Sequence, residues 1–372
     1  MFLPARANIP GRLLLSVMLI CLVSGAFGQG SSMQLSQQGY YIKQYTELDG
    51  LVNNRCKYIF EDSRGFVWIS TFQGLSRFDG KRFLNFGLKE GLPSINISQV
   101  CEDANGYIYV ATAKGIARYT GGRGVNGIYF QVYKETTQLS SAISGMQAID
   151  SSSFVFQRIG GGLYHYQKGQ LHTLLAGPIN YEMSVFRDNE NTFYAYAQDT
   201  FHIYNAALHP LRKVFFPNAR YMTFYYDNNR NLLHASASGK LYQLNKEGLQ
   251  FMGAVPDSIA WLWVNNKPAS FFYSASRKDL CLRNNGTDTR VIDFSKQSLY
   301  INDLRRTRDG SVWVTTSAGG IFRLSALPYS VFETGNIQYL RSQHYRNIIV
   351  TGGSKDPGLQ AAFNRLKDKI IN

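Results

Sequence analysis

The acidic pairs of this sequence are the residues best suited to general acid–base chemistry, because two nearby carboxyl groups can be held in different protonation states. Glu61-Asp62 and Glu102-Asp103 are such pairs, and Asp188 stands in a similar context. These acids recur at the same place in a repeated stretch, however, and a single active site has no use for copies. We therefore interpret them as turn or strand-end residues and predict no catalytic residue.

A glycine-rich stretch, GRGVNG at 122–127, matches the dinucleotide-binding pattern G-x-G-x-x-G. That pattern binds phosphates only where a strand leads into the N-terminus of a helix. The residues that follow, IYFQVY, have the character of a strand, so we predict a glycine-rich turn. The six histidines form no metal-ligand cluster, and no nucleophile elbow or calcium loop is present. The sequence predicts no metal site and no cofactor.

An internal repeat determines the elements that must position any site. GFVWISTFQGLSRFDG at 65–80 returns 41 residues later as GYIYVATAKGIARYTG at 106–121, and a third copy, GSVWVTTSAGGIFRL, occupies 310–324. Weaker copies begin near residues 153, 191, 231 and 270. The structural markers of the three clear copies are Trp68, Gly74, Arg77, Tyr109, Gly115, Arg118 and Trp313. The aromatic position, extended to the weaker copies, gives seven units spaced 38 to 47 residues apart: Trp68, Tyr109, Phe156, Tyr194, His234, Phe272 and Trp313.

Each unit has room for four short strands separated by Gly, Asn or Asp turns, and a period near 41 residues is typical of a β-propeller blade. Helical repeats of that length are disfavoured by the Thr-, Tyr- and Val-rich strands. We predict an all-β fold, a seven-bladed β-propeller of four-stranded antiparallel blades over residues 29–330. The aromatic residue of each unit should fill the wedge between neighbouring blades.

The two ends of the chain carry further signals. Residues 39–51 match residues 80–92, again with an offset of 41, so we expect residues 40–46 to form an outermost strand that completes the last blade. In the tail, 331–372, YRNIIVTGG predicts a strand and DPGLQAAFNRLKDKII a short C-terminal helix. This tail resembles the stump of a truncated second propeller.

The first 28 residues predict a secretory signal peptide, with Arg6 and Arg12 before the apolar run 13–23 and Ala26-Phe27-Gly28 as the cleavage site. Export would make the protein periplasmic or secreted, and not membrane-spanning after cleavage. The remaining three cysteines lack disulfide spacing, so buried thiols are expected at Cys56 and Cys101.

The net charge of +14 favours anionic partners such as acidic polysaccharides, membrane surfaces or nucleic acid. Export and the absence of a basic run argue against nucleic acid. We therefore interpret the charge as a scattered, solvated positive surface.

The stretch GLVNNRCKYIFEDSRGFVWISTFQGLSRFDG, at 50–80, resembles the two-component regulator propeller repeat. The pattern of that family is G-L-x-x-N, then E-D-x-x-G-x-x-W-x-x-T-x-x-G-L-x-R-F-D-G. The resemblance covers 40–121 and returns over 301–324. It implies the extracytoplasmic sensor region of bacterial histidine kinases and hybrid two-component systems. The kinase module of that family has no counterpart after Leu324, so the resemblance implies no enzymatic activity in this chain.

Propellers usually bind ligands where the central channel opens. The loops entering the innermost strands and the turns between second and third strands supply our candidates there: Asn54, Arg55, Gln73, Asn96, Lys114, Trp261 (or Trp263) and Arg305 (or Arg306). Aromatic rings can stack on sugars and arginines can hold carboxylates or sulfates. Blade packing is the alternative role for the two tryptophans.

The sequence therefore predicts a non-catalytic sensor domain. It should bind a small molecule or oligosaccharide, and its partner is expected to be a membrane-bound signalling protein. Two other functions stay open. A secreted glycan-active lyase or glycosidase would need a single, unrepeated set of acids at one channel mouth. A protein-interaction scaffold would need broad exposed aromatic patches.

Overall fold

A computed structural model describes residues 33–35, 40–122, 127–138, 142–177, 185–188, 190–197, 199–216, 223–227, 232–237, 240–245, 248–254, 259–263, 269–274, 277–284, 287–295, 299–326, 329–334, 337–342 and 348–351. The predicted signal peptide, the predicted C-terminal helix and most of the GRGVNG stretch lie outside these residues. No helix within them is long and apolar enough to cross a membrane.

Sheets 1 to 7 each take a first, second and third strand from successive parts of the chain. The first strands are Cys56–Glu61 (β3), Ile97–Glu102 (β7), Ile143–Asp150 (β11), Phe186–Arg187 (β15), Thr223–Asp227 (β19), Ile259–Trp263 (β23) and Ile301–Arg306 (β27). The second strands are Val67–Thr71 (β4), Ile108–Thr112 (β8), Ser153–Arg158 (β12), Phe193–Ala197 (β16), Leu232–Ala237 (β20), Ala269–Ser274 (β24) and Val312–Thr316 (β28). The third strands are Gly74–Phe78 (β5), Gly115–Tyr119 (β9), Leu163–Gln167 (β13), Thr200–Tyr204 (β17), Lys240–Asn245 (β21), Asp279–Asn284 (β25) and Ile321–Ala326 (β29).

Sheets 1 to 6 have a fourth strand that follows in the chain: Phe83–Phe86 (β6), Phe130–Tyr133 (β10), Gln170–Leu175 (β14), Pro210–Phe215 (β18), Gly248–Ala254 (β22) and Thr287–Asp293 (β26). Two strands precede sheet 1, Met33–Leu35 (β1) and Tyr40–Tyr45 (β2), and three follow sheet 7, Tyr329–Thr334 (β30), Ile337–Ser342 (β31) and Ile348–Thr351 (β32). Two 3-10 turns, Glu47–Asp49 and Leu88–Glu90, and one helical turn, Lys134–Thr137, complete the described elements.

Every strand pairing in the described residues is antiparallel, and each of sheets 1 to 6 pairs its four strands in chain order. An all-β fold of four-stranded antiparallel sheets is therefore confirmed. All seven predicted aromatic positions, from Trp68 to Trp313, lie in second strands, and IYFQVY contains the strand β10, as expected. Strands β30, β31 and β32 form a separate three-stranded sheet, sheet 8, which includes the strand predicted in YRNIIVTGG.

The closing strand is β2, which pairs antiparallel with β29 from Tyr40 opposite Ala326 to Tyr45 opposite Ile321. This pairing confirms that the N-terminal strand completes the last sheet. It is not the outermost strand as predicted, because β1 pairs antiparallel with the outer side of β2 and makes sheet 7 five-stranded. Tyr45 is buried and stacks on Trp313, with 5.9 Å between ring centroids. The 3-10 turn after β2 and the one after β6 stand 41 residues apart, as the sequence offset predicted.

The aromatic residues of the repeat lie between neighbouring sheets. Trp68 of sheet 1 is fully buried in a cluster with Val100 and Ile108 of sheet 2. Trp313 and Tyr109 pack in the same way against sheets 1 and 3, respectively. Each large ring thus removes apolar surface from two sheets at once, which is the wedge-filling role predicted from the sequence.

In sheets 1, 2 and 4 the aspartate that follows the first strand holds the aromatic residue of the second strand in place. Asp62 accepts hydrogen bonds from the backbone N–H of Phe66 (3.0 Å) and from Trp68 Nε1 (2.9 Å). The same bond to the aromatic residue six positions later joins Asp103 to the Tyr109 hydroxyl (3.1 Å) and Asp188 to the Tyr194 hydroxyl (2.9 Å). These carboxylates are turn residues, as predicted.

The glutamate of the acidic pair joins neighbouring sheets. Glu61 accepts a hydrogen bond from the backbone N–H of Arg308 in sheet 7 (2.8 Å), and Glu102 accepts one from the N–H of Ser63 in sheet 1 (2.7 Å). In the recurring Glu-Asp pair, the glutamate therefore joins neighbouring sheets, and the aspartate holds the turn and the aromatic residue within its own sheet.

The Thr-x-x-Gly turn between second and third strands has its own repeated geometry. The Thr71 hydroxyl donates to the Gly74 carbonyl (2.9 Å) and accepts from the backbone N–H of Gln73 (3.1 Å). Gly74 has a φ of +133°, and a Cβ there would lie 2.6 Å from the Phe86 carbonyl oxygen. Only glycine fits this position without strain, which explains its recurrence at Gly115.

The repeat arginine lies directly across the ladder from the aromatic marker, as Arg77 does from Trp68. Its guanidinium carbon lies 4.4 Å from the centre of the Phe66 ring and 5.6 Å from that of Trp68, and its Nη1 donates to the Tyr119 hydroxyl of sheet 2 (2.9 Å). Cation–π contact and a hydrogen bond across the interface account for the conserved position within the repeat.

Sheets 1 to 7 contact one another in chain order. First strands touch between sheets 7 and 1, 1 and 2, 2 and 3, 5 and 6, and 6 and 7. Shared apolar clusters join sheets 3 and 4 through Val155 and Phe193, and sheets 4 and 5 through Ile203 and Leu244. Sheet 7 thereby returns to sheet 1.

Loss of the closing strand should destabilise the protein strongly. We expect removal of residues 29–45 to lower the midpoint of thermal unfolding by about 10 °C or more relative to a chain beginning at residue 40. The burial of Ile42 and Tyr45 alone contributes about 5 kcal/mol to the free energy of unfolding. Each kcal/mol shifts the unfolding midpoint of a domain of this size by about 2–4 °C. The unpaired edge of β29 should also promote association. Equal midpoints for the two chains, measured by calorimetry, would contradict the structural role of β2.

Removal of the Asp62 carboxylate should leave buried donors without partners. We expect Asp62→Ala to lower the free energy of unfolding by about 3 kcal/mol, because Trp68 Nε1 and the turn N–H groups lose their acceptor. Asp79→Ala is the matched control, since Asp79 caps an exposed turn through the N–H groups of Lys81 and Arg82. Urea denaturation followed by tryptophan fluorescence measures the free energy of unfolding of both variants. If Asp79→Ala destabilises the protein as much as Asp62→Ala, the special role of the Asp62 carboxylate is refuted.

The cysteines of the first two sheets should be inert in the folded protein. Both are free and buried, and burial raises the pKa of Cys56 and of Cys101 to about 12. We expect iodoacetamide at pH 8 to label neither residue in the native state and both in urea, since only the thiolate reacts. Peptide mapping by mass spectrometry provides the measurement, with Gln73→Cys in an exposed turn as the reactive control. Native labelling of Cys56 or Cys101 at the rate of that control would show that the thiols are accessible.

Candidate functional site

The antiparallel order of the strands gives sheets 1 to 7 two distinct faces. The upper face carries the loops that lead into first strands and the turns between second and third strands. The lower face carries the turns between first and second strands and between third and fourth strands. Five of the seven candidate residues, Asn54, Arg55, Gln73, Asn96 and Lys114, lie in loops or turns of the upper face.

Polar groups on the lower face are largely engaged in bonds within the protein. Asp62, Asp103 and Asp188 cap their own turns. The Arg308 guanidinium donates to the carbonyl oxygens of Ser63 (2.8 Å) and Asp62. These acids and this arginine hold the sheets together, so the lower face offers a poor binding site for a ligand.

The turns and loops of the upper face are joined by one repeated backbone bond. Phe72 N–H donates to the Arg55 carbonyl oxygen (3.0 Å) in sheet 1, and Ala113 N–H donates to the Asn96 carbonyl oxygen (2.9 Å) in sheet 2. In each sheet, this backbone bond holds the last residue of the entering loop next to the first residue of the turn between the second and third strands. Arg55, Asn96, Ala142 in sheet 3 and Tyr300 in sheet 7 occupy the same position.

A β-bulge at the start of the first strand adds one residue to this face. The register skips Lys57 in β3, and the same skip occurs at Ser98, Ser144, Ala260 and Asn302. A bulge leaves its extra residue outside the ladder and redirects the side chain. Lys57 therefore belongs to the upper face although it lies within a strand.

Sheet 1 brings two cations onto one exposed ring. The Arg55 guanidinium carbon lies 4.1 Å from the centre of the Phe72 ring, and Lys57 Nζ lies 4.2 Å from it. Phe72 is 42% exposed although it is an apolar residue in a two-residue turn. Lys57 Nζ also donates to Asn96 Oδ1 (2.5 Å), which joins sheet 1 to sheet 2. We call Arg55, Lys57, Phe72, Gln73, Asn96 and Lys114 the rim group.

Gln73 and Lys114 complete the rim group. Each is the third residue of a Thr-x-x-Gly turn, is exposed, and donates its backbone N–H to the hydroxyl of the turn threonine. The rim group therefore places three basic side chains and an exposed aromatic ring on the upper face.

The remaining candidates lie elsewhere. Asn54 is held in the loop after the closing strand, where its Oδ1 accepts from the Glu47 N–H (2.8 Å) and its own N–H donates to Glu47 Oε1 (2.8 Å). Trp261 and Trp263 are both in β23, the innermost strand of sheet 6, opposite Tyr273 and Phe271.

Arg305 lies in β27 opposite Trp313, away from the end of that strand at which the upper-face loop enters. Its Nε bonds Asp303 Oδ1 (3.0 Å), and this neighbouring carboxylate raises the pKa of the guanidinium above its ordinary value. Asp303 in turn accepts from the Ile59 N–H of sheet 1 (3.1 Å). Four of the seven candidates, Arg55, Gln73, Asn96 and Lys114, thus lie in the rim group of sheets 1 and 2, whereas Arg305 and Trp261 lie in sheets 7 and 6.

Sequence reasoning missed Lys57 and Phe72. The signal for Phe72 was available, because an aromatic residue stands in a tight turn where the second copy has alanine, TFQG against TAKG. Lys57 left no comparable signal, since the bulge is invisible in the sequence. The arrangement can bind planar or ring-shaped ligands through Phe72 and anionic groups through the cations. Within the described part of the chain, no three His, Cys, Asp or Glu side chains are grouped to hold a metal ion.

Comparison with known proteins identifies the repeat. The family described as two component regulator propeller matches residues 50–73 and 91–114. No curated protein matches the chain. A solved structure of the extracellular domain of a putative hybrid two-component system from B. thetaiotaomicron superimposes with a TM-score of 0.59 at 16% identity, covering 84% of this chain and 48% of that one. The chain spans about half the length of that neighbour.

Other solved structures share the architecture. Virginiamycin B lyase from Staphylococcus aureus superimposes with a TM-score of 0.58 at 12% identity over 80% of this chain and 99% of its own. YCF48 from Cyanidioschyzon merolae superimposes with a TM-score of 0.56 at 13% identity, over 76% of this chain and 98% of its own. At such identities the likeness establishes the β-propeller fold. Together with the two matched segments, it confirms the resemblance drawn from the sequence: this chain carries two-component regulator propeller repeats.

Proposed function

We propose that this protein is an extracytoplasmic, non-catalytic sensor domain that binds a carbohydrate on the upper face of its propeller. The observation that carries the proposal is the rim group, an exposed ring contacted by two cations on a scaffold of regulator propeller repeats. The extracellular location of the hybrid two-component neighbour supports the cellular side of the proposal. The predicted signal peptide over residues 1–28 is consistent with it.

The scaffold we propose is a single closed ring of seven blades, formed by sheets 1 to 7. Contacts between successive sheets and the return of sheet 7 to sheet 1 support this count. Sheet 8 follows β29 at once and has one strand fewer than a blade. We propose that residues 331–372 begin a second propeller, for which the greater length of the hybrid two-component neighbour leaves room.

A non-catalytic role is supported by the use that the protein makes of its acids. Acid–base catalysis needs carboxyl groups that reach the substrate. The repeated acids of sheets 1, 2 and 4 instead cap turns and join sheets on the lower face. The lyase neighbour shares 12% identity and therefore contributes only its fold. The signal would pass to a membrane-bound signalling partner.

Carbohydrate is the proposed ligand class because sugars present flat apolar faces beside polar rims. Phe72, and Tyr300 at the position of sheet 7 that corresponds to Arg55 (55% exposed), are upper-face rings against which such faces can stack. Asn96 and Gln73 supply amide groups for sugar hydroxyls. The propeller holds all of these on short, hydrogen-bonded turns, so little conformational entropy is lost on binding.

A ligand that binds the native state raises its thermal stability by mass action. At a concentration 100 times its Kd the gain is about 2.7 kcal/mol, which corresponds to about 5 °C or more for this domain. We expect at least one member of an oligosaccharide panel to produce such a shift with the protein from residue 29 onward. Phe72→Ala should abolish it, whereas Leu211→Ala, an exposed apolar residue of an outermost strand, should not.

The same samples distinguish the proposed sensor from an enzyme. Mass spectrometry of the oligosaccharide after overnight incubation should show it unchanged. Cleavage that disappears in a rim-group variant would establish a glycan-active enzyme. The absence of any shift across the panel, together with a shift caused by a protein partner, would favour an interaction scaffold.

A further inference from the structure

We propose that Arg305 forms an anion-binding site near the lower opening of the central channel, for a small ligand that carries a carboxylate, phosphate or sulfate group. The shared chemistry of these ligands is an oxyanion, and the experiment below separates its sources. The site lies apart from the rim group and does not depend on a carbohydrate bound there. The inference rests on the closed ring of sheets 1 to 7 proposed above.

Arg305 is accessible from the inner edge of its sheet. It is the last residue but one of β27, and β27 is the edge strand of sheet 7, bonded only to β28. The two faces of the sheet are covered, because Leu304 belongs to an apolar cluster shared with sheet 6 and Trp313 to one shared with sheet 1. The Arg305 side chain is nevertheless 38% exposed. Solvent therefore reaches it from the inner edge of β27, where the first strands of sheets 6, 7 and 1 contact one another.

An arginine at this position departs from the repeat. The residue eight positions before the aromatic marker lies directly opposite that marker in the strand ladder. It is Phe60 in sheet 1 and Cys101 in sheet 2, and both pack in apolar clusters. In sheet 7 the same position holds Arg305, opposite Trp313. Sheet 7 thus replaces a packing residue of the scaffold by a cation at the channel.

The aspartate that holds this arginine is not required by the scaffold either. Asp303 Oδ2 accepts a hydrogen bond from the Ile59 N–H of sheet 1 (3.1 Å). Gln99, which like Asp303 stands ten residues before its aromatic marker, makes the corresponding bond from sheet 2 to sheet 3. Its Oε1 accepts from the Met146 N–H (2.7 Å). A neutral amide can therefore join two first strands, so this contact does not explain an ion pair between Asp303 and Arg305.

The ion pair orients Arg305 and leaves one end of its guanidinium group available. Arg305 Nε lies 3.0 Å from Asp303 Oδ1 and 3.2 Å from Asp303 Oδ2, and the aspartate side chain is only 3% exposed. Within the residues that the structure describes, neither Nη atom of Arg305 has a hydrogen-bond partner. The two parallel N–H groups at that end match two oxygens of a carboxylate, phosphate or sulfate.

The surroundings of Arg305 favour a small anion over a polymer. Asp303 balances the charge of the arginine, so binding depends on the geometry of the two Nη donors more than on net charge. The Tyr58 ring of sheet 1 has its centre 5.5 Å from the guanidinium carbon. An oxyanion at the Nη end would thus lie between the first strands of sheets 7 and 1, where a long polyanionic chain has less room than on either outer face.

The test is isothermal titration calorimetry on the protein from residue 29 onward with galacturonate, succinate, inorganic phosphate and inorganic sulfate. Methyl galactoside serves as a neutral compound of similar size. We expect at least one anion to bind at least tenfold more tightly than methyl galactoside, and its identity gives the source of the oxyanion. Arg305→Lys keeps the charge but loses the paired donors, so it should weaken this binding at least fivefold.

A second variant removes the site while preserving the packing of the scaffold. Asp303→Gln with Arg305→Phe gives sheet 7 the residue types of Gln99 and Phe60 at the corresponding positions. Because those residues serve sheets 2 and 1, we expect the double variant to unfold within about 3 °C of the unchanged protein. It should bind the anion at least tenfold more weakly.

Arg323→Gln is the matched control. Arg323 also lies opposite Trp313 and pairs with an aspartate, Asp309 (2.7 Å), but it belongs to the third strand of sheet 7 and so lies away from the channel. This variant should keep the affinity for the anion within twofold.

Three outcomes would overturn the inference: no binding of any of the four anions, binding that the Asp303/Arg305 double variant retains, or an equal loss in Arg323→Gln. The proposed carbohydrate site is tested separately, because the thermal shift that depends on Phe72 should persist in the double variant. An anion that binds through Arg305 while no oligosaccharide binds would support this site and contradict only the proposed function.

Discussion

Burial of a large aromatic ring between neighbouring sheets is the constraint on which the rest of this structure depends. A four-stranded sheet has two apolar faces, and both are covered only if side chains fill the space between it and the sheets on either side. Trp68, Tyr109 and Trp313 fill three such interfaces while exposing almost no surface. Asp62 fixes the position of the Trp68 ring by accepting a hydrogen bond from its indole N–H. The carboxylate, the turn and the ring therefore form one unit, which recurs in sheets 1, 2 and 4.

This unit explains why the two faces of the protein differ in chemistry. The hydrogen bonds that hold the aromatic rings, and several that join neighbouring sheets, lie on the lower face, where Glu61, Glu102 and the capping aspartates meet the backbone of adjacent turns. Polar groups committed in this way cannot be given to a ligand without loss of stability. On the upper face Lys57 and Asn96 join sheets 1 and 2, whereas the turn residues Phe72 and Gln73 are exposed and differ from their counterparts in sheet 2. Variation there is what the rim group displays.

The sequence predicted the fold well because the fold is repetitive. Each clear copy of the repeat needs a glycine where a side chain would clash, as at Gly74, and a large ring between sheets, as at Trp68. It also needs the cross-strand contact made by Arg77. The spacing of these residues therefore located them in the sequence. The closing strand was predictable for the same reason, as an extra copy of an outermost strand. The candidate site was harder to predict from the sequence because its residues differ from one repeat to the next. Arg55 and Lys114 could be selected because the architecture places their loop and turn on the upper face. Lys57 reaches that face only through a β-bulge, which the strand register shows and the sequence does not. The ion pair between Arg305 and Asp303 is likewise visible only in the side-chain contacts.

The rim group and the closure of the ring share one segment of chain. The loop between β2 and β3 begins at the closing strand and ends at Arg55. Its Asn54 carbonyl accepts a hydrogen bond from the Gly320 N–H of sheet 7 (2.8 Å), and Glu47 ties the loop to itself. Contacts that a ligand makes with Arg55 are available only while this loop keeps its place, which requires β2 to stay paired with β29. If a ligand binds at the rim group, its contacts with Arg55 favour the pairing of β2 with β29, and that pairing favours binding by the same free energy. The strand pairing that completes sheet 7 thus lies next to the proposed binding surface in the chain, so that a change in either would be felt by the other.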